Sequence, residues 1–552
     1  MKIKTKLRSN LQVMLLLVTV LCLPTYAKAL NFDVDRIYYS TKGDNSVYVS
    51  SVRKSGDIVI PPTVTYEDNT YTVTGISALA FNKYESHNIT GISIPSTVTS
   101  IGLFCFVGED WYTFDNTIFS DCDGLTHITV ASGNPIYDSR DNCNAIIETA
   151  SNTLLAGCKS TVIPNTVIAI GKAAFSGCKY LTNVELGNSV TTIGEYAFVN
   201  CSSLTNVEFG NSLTTIGDCA FEGCSSLTEI TLPNSLISIS DGAFAQCSGL
   251  SEVRLPNSLT TIGSGAFYGC SELTSLDIPS TVTEIGELAF RDTKIYEDQH
   301  GIVYAGNWAV DYKNDVSGDC VIQEGTVGIA SYTFSYVNSN DFHKTLPPFT
   351  NLVIPNSVLY IGAEAFYYQN DVFTHNDGNQ SRVSPIKTIV IGESVKAIGS
   401  HAFYTGTQST YNDTGTLIDG DADLQSITCL AKIPPKASDT FASHIFDVPI
   451  YGWYETDYAI YHRVPLYVPK KSVEAYKNDE EWGRFNTIIG INVNDQLDVN
   501  GDGEVTISDV NSLVDVIINS TYTSNLIIYD VNGDSEVTVA DINIVIDAIL
   551  SN

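Results

Sequence analysis

Two stretches near the C-terminal end repeat each other 32 residues apart, "DVNGDGEVTISD" (498–509) and "DVNGDSEVTVAD" (530–541). Both place oxygen-bearing side chains at positions 1, 3, 5 and 12 of a twelve-residue loop. In the first loop these are Asp498, Asn500, Asp502 and Asp509, with Glu504 at position 7 and Thr506 at position 9. In the second they are Asp530, Asn532, Asp534 and Asp541, with Glu536 and Thr538 at 7 and 9. Such a set can surround one hard cation, the residue at position 7 giving its backbone carbonyl. Gly503 at position 6 permits the sharp bend. Left alone, the carboxylates repel; Ca²⁺ turns the repulsion into attraction, and Mg²⁺ fits less well because it demands stricter octahedral geometry. Without a metal, the same residues would serve only as acidic caps of two helices.

Positioning these loops calls for helices behind them. "ISDVNSLVDVIINS" and "VADINIVIDAILSN" are apolar at three-to-four spacing, as amphipathic helices require. The rest of the chain is built differently. The aromatics of "IGKAAF", "IGEYAF", "IGDCAF", "ISDGAF", "IGSGAF" and "IGELAF" fall at Phe175, Phe198, Phe221, Phe244, Phe267 and Phe290, a constant step of 23. The Ile five residues earlier keeps step, and the same Ile-to-Phe offset returns at Phe81, Phe106, Phe334, Phe366 and Phe403. A fixed period of this length marks stacked repeats. Within "LTNVELGNSVTTIGEYAFVNCSS", Val184 and Leu186 share one face of a short strand and Gly187-Asn188-Ser189 turn the chain. "VTTIG" makes a second extended piece, and "EYAFVNC" suits one helical turn that points Ala197, Phe198 and Cys201 inward. None of these pieces buries an apolar face alone, so each coil must cover the next. About thirteen coils at the strand spacing give a stack on the order of 60 Å.

The pattern "LTxVxLPNSLTxIGxxAFxxC" resembles the BspA-like class of bacterial leucine-rich repeats. The resemblance implies an exported or cell-surface solenoid that works by binding rather than catalysis. Asp at position 12 and the duplicated loop–helix layout make the tail similar to a type I dockerin. That family pairs with cohesin modules, often in assemblies that degrade polysaccharide. The partner-reading pairs it implies here are Ile507-Ser508 and Val539-Ala540. Two departures stand out. Ser535 replaces the bend glycine, costing about 1 kcal/mol if φ is positive there. Ile507 and Val539 are apolar where the family commonly carries hydroxyls.

The expected fold is therefore a β-rich leucine-rich-repeat solenoid of about 23-residue repeats, followed by a small all-α dockerin-like, EF-hand-type domain. The expected boundaries are a leader at 1–29, an N-terminal β cap at 30–74, repeats at 75–430, a C-terminal cap at 431–492 and the calcium-binding tail at 493–552. The leader reads as a signal peptide: Lys2, Lys4, Lys6 and Arg8, then the apolar "LQVMLLLVTVLCL", then Ala27-Lys28-Ala29. Its removal takes five basic residues and no acidic ones, moving the net charge from −33 to −38. Such a charge repels phosphate backbones and anionic lipid, so nucleic acid is excluded as a partner while divalent cations stay compatible.

Five cysteines, Cys178, Cys201, Cys224, Cys247 and Cys270, follow the 23-residue step and should line one edge of the core as a mostly reduced ladder. Cys105, Cys122, Cys143, Cys158, Cys219, Cys320 and Cys429 stand outside that register, and their pairing is left open. There is no CxxC pair for zinc. HExxH, GxSxG, P-loop and GxGxxG motifs are absent, and no His repeats with the cysteines. A catalytic role is not expected. Stretches near 107–124, 132–157, 294–325, 335–350, 367–385 and 404–423 interrupt the period and should emerge on one side as insertions. Trp111, Tyr112 and Phe114, with Trp453, Tyr454, Tyr458 and Tyr461 of the cap, are candidate recognition aromatics, and Asp419, Asp421 and Asp423 a weaker cation candidate.

These readings converge on a secreted or cell-surface, non-enzymatic binding or adhesion protein. Its repeats would take a protein or glycan ligand, and its Ca²⁺-stabilised tail would dock on a cohesin-like module or another surface protein. An alternative is an accessory component of an extracellular polysaccharide-degrading complex with hydrolase activity. A third is a purely structural surface protein.

Overall fold

The computed structural model describes residues 30–42, 45–78, 80–81, 88–103, 119, 122–313, 321–337, 350–369, 386–403, 410–411, 417–418, 424–437, 464–491, 510–511 and 514. The chain divides into two compact units, residues 1–213 with 223–226, and residues 214–222 with 227–552.

The first unit opens with an antiparallel meander of Asn31–Val34, Ile37–Thr41 and Ser46–Val52. Ser46–Val52 then pairs in parallel with Asn69–Ser77, which passes the parallel register on to Ser100–Leu103. A change of pairing sense thus occurs where the irregular start meets the first repeat. Val47 and Val49, and across a bulge in the pairing Val73 and Ile76, point into the core. Further along, the first regular coils stack as Ala169–Ile170 on Thr192–Ile193 and Asn183–Glu185 on Asn206–Glu208, every pairing parallel and offset by one 23-residue period.

In the second unit an equivalent parallel ladder runs through Thr215–Ile216, Ser238–Ile239, Thr261–Ile262 and Glu284–Ile285. A separate five-stranded parallel sheet is formed by Asn351–Ile354, Thr388–Ile391, Ser426–Cys429, Leu466–Pro469 and Ile488–Ile491. The helix Val473–Lys477 lies between the last two strands in sequence. Tyr476 and Trp482 are fully buried there; Tyr476 Oη donates to the Ala431 carbonyl at 2.8 Å and Trp482 Nε1 to that of Pro435 at 3.0 Å.

Two expectations need correction. The described segments around the repeat Phe residues are not helical turns. They are runs of tight turns in which the residue two before the Phe is left-handed in nine coils, from Ala173 (φ 56°) and Tyr196 (57°) through Leu288 (55°) to His401 (52°). The physical reason is visible in the hydrogen bonds. Alternating handedness turns successive amides along the stacking direction, so the N–H groups of Ala173, Phe175 and Gly177 reach the carbonyls of Glu195, Ala197 and Val199 one coil on, at 2.9, 2.7 and 2.8 Å. A helical turn would close those bonds within the coil and leave the next coil unpaired.

Secondly, the stretches 132–157 and 294–325 are not excursions from the stack. Each folds as an antiparallel hairpin, Ala145–Glu148 with Thr153–Gly157 and Ile302–Ala305 with Trp308–Tyr312. The second strand of each hairpin starts the next parallel ladder, on Ala169–Ile170 and on Gly328–Ile329. The stretches at 335–350 and 367–385 begin with Tyr336–Val337 and Tyr368–Gln369, which pair in parallel with each other, as insertions leaving at one phase should.

Candidate functional site

The residues with the strongest chemical signature lie outside the described residues. These are Asp498, Asn500, Asp502, Glu504, Thr506 and Asp509 of the first loop, Asp530, Asn532, Asp534, Glu536, Thr538 and Asp541 of the second, and the pairs Ile507-Ser508 and Val539-Ala540. Trp111, Tyr112, Phe114, Trp453, Tyr454, Tyr458 and Tyr461, and the Asp419–Asp423 cluster, lie outside them too. Of the tail, Val510, Asn511 and Val514 are described: all three are helical, Val510 buried and Asn511 exposed. Among the described residues no group of three His, Cys, Asp or Glu side chains is placed to hold a metal ion, and no helix is long and apolar enough to cross a membrane.

The thiols are held as core hydrogen-bond donors. Cys201, Cys224, Cys247 and Cys270 are fully buried, and each Sγ sits 3.1–3.2 Å from the carbonyl of a Phe one coil earlier. Burial pushes the thiols of Cys201 and Cys270 well above their ordinary range. None of the ten described cysteines is in a disulfide. Cys178, the first rung, borders a small surface cleft that Cys122, Cys158, Asp123, Lys179 and Tyr180 also line. Burial, followed by the neighbouring Cys158, raises the Cys178 thiol to about 12. A thiol held protonated this way is a poor nucleophile.

One cluster imitates a catalytic relay. His127 Nε2 stands 3.5 Å from Asp57 Oδ1, and its Nδ1 3.3 Å from Thr126 Oγ1. The ring can lie flat across the neighbouring strand because residue 91 is glycine; a Cβ there would meet it at 1.8 Å. Thr126 Oγ1 already donates its proton to the Thr90 carbonyl at 3.0 Å, however, so His127 has no hydroxyl proton to take. The cluster ties three strands together and activates no nucleophile.

What distinguishes the two sheets built from repeat strands is their outward face. In regular coils the outward strand residues are Asn183 and Glu185, Asn206 and Glu208, Glu229 and Thr231, Glu252 and Arg254, all exposed. In the C-terminal sheet the positions matching Glu185 are Val353, Val390, Thr428, Tyr467 and Ile489. Sequence reading passed over this row. The signal was present: "NLVI", "TIVI" and "TIIGI" are unbroken apolar runs where "TNVEL" alternates.

Stacked 23-residue coils with a Phe ladder and a thiol ladder are the geometry behind a match to the model of the BspA type leucine rich repeat region, in six copies, over residues 74–138, 151–248, 191–299 and 335–411, more than half of the chain. The chain belongs to the BspA-type leucine-rich repeat proteins. This BspA-type chain also carries a dockerin type I domain, matched over residues 496–550. Both are binding or docking modules rather than catalytic ones. No curated protein matches the chain. Among solved structures it is similar to a leucine-rich repeat protein from Bacteroides ovatus ATCC 8483, at 23% identity and a TM-score of 0.34, covering 72% of this chain and 94% of that one. It is similar also to a leucine-rich repeat protein from Eubacterium ventriosum ATCC 27560 (23%, TM-score 0.32, 44% and 65%). A third is a leucine rich cell surface protein from Faecalibacterium prausnitzii A2-165 (19%, TM-score 0.25, 84% and 94%).

Proposed function

We propose that this BspA-type protein is an exported, non-enzymatic binding protein with two engagement surfaces. The repeats present a macromolecular ligand with the outward strand residues, and the dockerin tail fastens the protein to a cohesin-like module. The single observation that supports this reading is the presence of both modules on one chain, a repeat region without a nucleophile among its described thiols and a dockerin type I domain. Asp498, Asn500, Asp502 and Asp509, with the Glu504 carbonyl and Thr506, would hold one Ca²⁺. Asp530, Asn532, Asp534 and Asp541, with Glu536 and Thr538, would hold a second, and Ile507-Ser508 with Val539-Ala540 would face the partner. The ion supplies the positive charge that lets these carboxylates converge and fixes the starts of the two helices.

The test is calorimetry on the full chain. Calcium should bind with measurable heat, Asp498→Ala should remove about one site, and Asp498→Ala with Asp530→Ala should remove both. A cohesin-bearing protein from the native envelope should then be retained on the immobilised chain in calcium and released by chelator. Absence of heat, or retention unaffected by chelator, overturns the reading.

A further inference from the structure

The turn that follows each outward strand is uncharged in the regular coils, as in Gly187-Asn188-Ser189, Pro233-Asn234-Ser235 and Pro256-Asn257-Ser258. In three successive coils of the C-terminal sheet it fills with lysine. Lys396 closes the turn after Thr388–Ile391, Lys432 and Lys436 lie in the turn after Ser426–Cys429, and Lys470 and Lys471 directly follow Leu466–Pro469. All five are exposed. The parallel register sets these turns side by side, since Ile391 pairs with Cys429 and Thr428 with Tyr467. The Lys436 N–H donates to the Lys396 carbonyl at 2.9 Å, and Ser472 Oγ, next to Lys471, donates to the Lys432 carbonyl at 2.7 Å. Two strand steps thus gather five positive charges on one corner about 10 Å long.

Solubility does not account for this cluster. The chain already carries a net charge of −33. Its other basic side chains are largely engaged by carboxylates, Lys172 by Glu195, Lys294 by Glu272, Lys477 by Glu474 and Arg484 by Glu481. The five lysine side chains have no ion pair, hydrogen bond or ring contact among the described residues. Of the other acids on these segments, Asp479 accepts the N–H groups of Glu481 and Trp482, which leaves Glu393 and Glu480 exposed. Like charges within a screening length of about 8–10 Å add their fields, and a bound anion relieves their repulsion.

The backbone under the corner is fixed. Tyr476 Oη holds the Ala431 carbonyl and Trp482 Nε1 that of Pro435, so buried aromatics pin the Lys432–Lys436 turn at both ends. Between those lysines Ile433 is 80% exposed. An apolar tip among cations on a fixed backbone suits a chain that alternates negative groups with apolar faces. Acidic sugars do this, with carboxylate or sulfate groups on rings whose C–H faces can pack on Ile433. A flat anionic membrane would bring the whole acidic molecule against its own charge, whereas a slim polymer meets only the corner.

We infer that the corner formed by Lys396, Lys432, Lys436, Lys470 and Lys471 binds an acidic polysaccharide. The inference rests on the binding role proposed for the repeats, names a ligand class for it and adds a turn corner to the strand faces.

Binding of the full chain in calcium to immobilised hyaluronate and dextran sulfate tests it, against neutral dextran, phosphatidylglycerol vesicles and duplex DNA. At least one acidic polysaccharide should bind and neutral dextran should not, with affinity falling about tenfold between low and physiological salt. Lys432→Glu combined with Lys471→Glu should weaken that binding about tenfold and leave calcium heat unchanged. No binding, binding unaltered in the double variant, or tighter binding of vesicles or DNA overturns the inference. Should the variant misfold, the wild-type chain decides. Bound polysaccharide should shield the five lysines from acetylation, read by peptide mass spectrometry, and leave Lys172 and Lys294 as reactive as before. Uniform or absent shielding overturns the inference. Absence of calcium heat strikes the proposed function instead, and polysaccharide binding indifferent to the double variant strikes the corner alone.

Discussion

Cys247 Sγ lies 3.1 Å from the carbonyl oxygen of Phe221, 26 residues earlier and one coil back. The thiol is therefore a donor that links adjacent coils and is in no disulfide; the equivalent carbonyls of Phe175, Phe198 and Phe244 accept a backbone N–H as well, from Cys178, Cys201 and Cys247. Iodoacetamide at pH 8 should leave Cys201, Cys247 and Cys270 unlabelled in the native protein and label them in urea. Cys247→Ala should cost about 0.5–1.5 kcal/mol, the net contribution of the one hydrogen bond that is lost. Labelling of the native ladder within minutes, read by peptide mass spectrometry, would contradict the assignment.

The raised thiol of Cys178 gives stability a definite dependence on pH. Below pH 9 the thiol is protonated in folded and unfolded chains, and its contribution is fully present. Above 9 the unfolded chain releases its proton first, so the unfolded state binds fewer protons and stability falls as pH rises, until the folded thiol titrates at about 12. Urea midpoints at pH 8 and pH 10.5 should differ less in Cys178→Ala than in wild type. An equal drop in both proteins would place the alkaline loss elsewhere.

The repeat period, the strand positions and the inward Ala197, Phe198 and Cys201 were legible in the sequence because each is fixed by apolar spacing alone. The turn around Phe198 was misread because its handedness is set by bonds to the next coil, and Tyr196 and Leu288 carry no local signal of a positive φ. The hairpin Ile302–Ala305 with Trp308–Tyr312 was hidden for a related reason. It interrupts the 23-residue period and so looked like extra chain, although all five residues of Trp308–Tyr312 are buried. The Val353–Ile489 row was not read because an apolar residue at an outward strand position looks, in "NLVI" or "TIVI", the same as one facing the core.

Left-handed turn positions offer a clean test of the backbone argument at Gly265, where φ is 58° and an added Cβ would meet only Tyr268 Cβ at an ordinary 3.6 Å. Space is thus not the issue and conformation is. Gly265→Val should lower stability by about 1–2 kcal/mol, and Gly265→Asn by well under 1 kcal/mol, since Asn tolerates this region and a β-branched residue does not. Urea denaturation of both variants measures the difference. Equal losses would put the cost in packing.

Phe221 probes the core ladder itself. Its ring is fully buried and stacks on Phe244 with centroids 5.4 Å apart and planes within 5°, while its N–H reaches the Ala243 carbonyl at 2.8 Å. Phe221→Ala keeps the backbone bond and empties one rung, so the loss should be about 3–5 kcal/mol, the usual range for a buried aromatic truncated to Ala. Because stacked coils couple to nearest neighbours, the damage should stay local and broaden or split the unfolding transition instead of shifting all of it. Tyr180→Ala is the control: its side chain is 59% exposed, and its removal should cost under about 0.5 kcal/mol. A Phe221→Ala loss no larger than this control's would mean that stacking between coils, rather than the ring, carries the ladder.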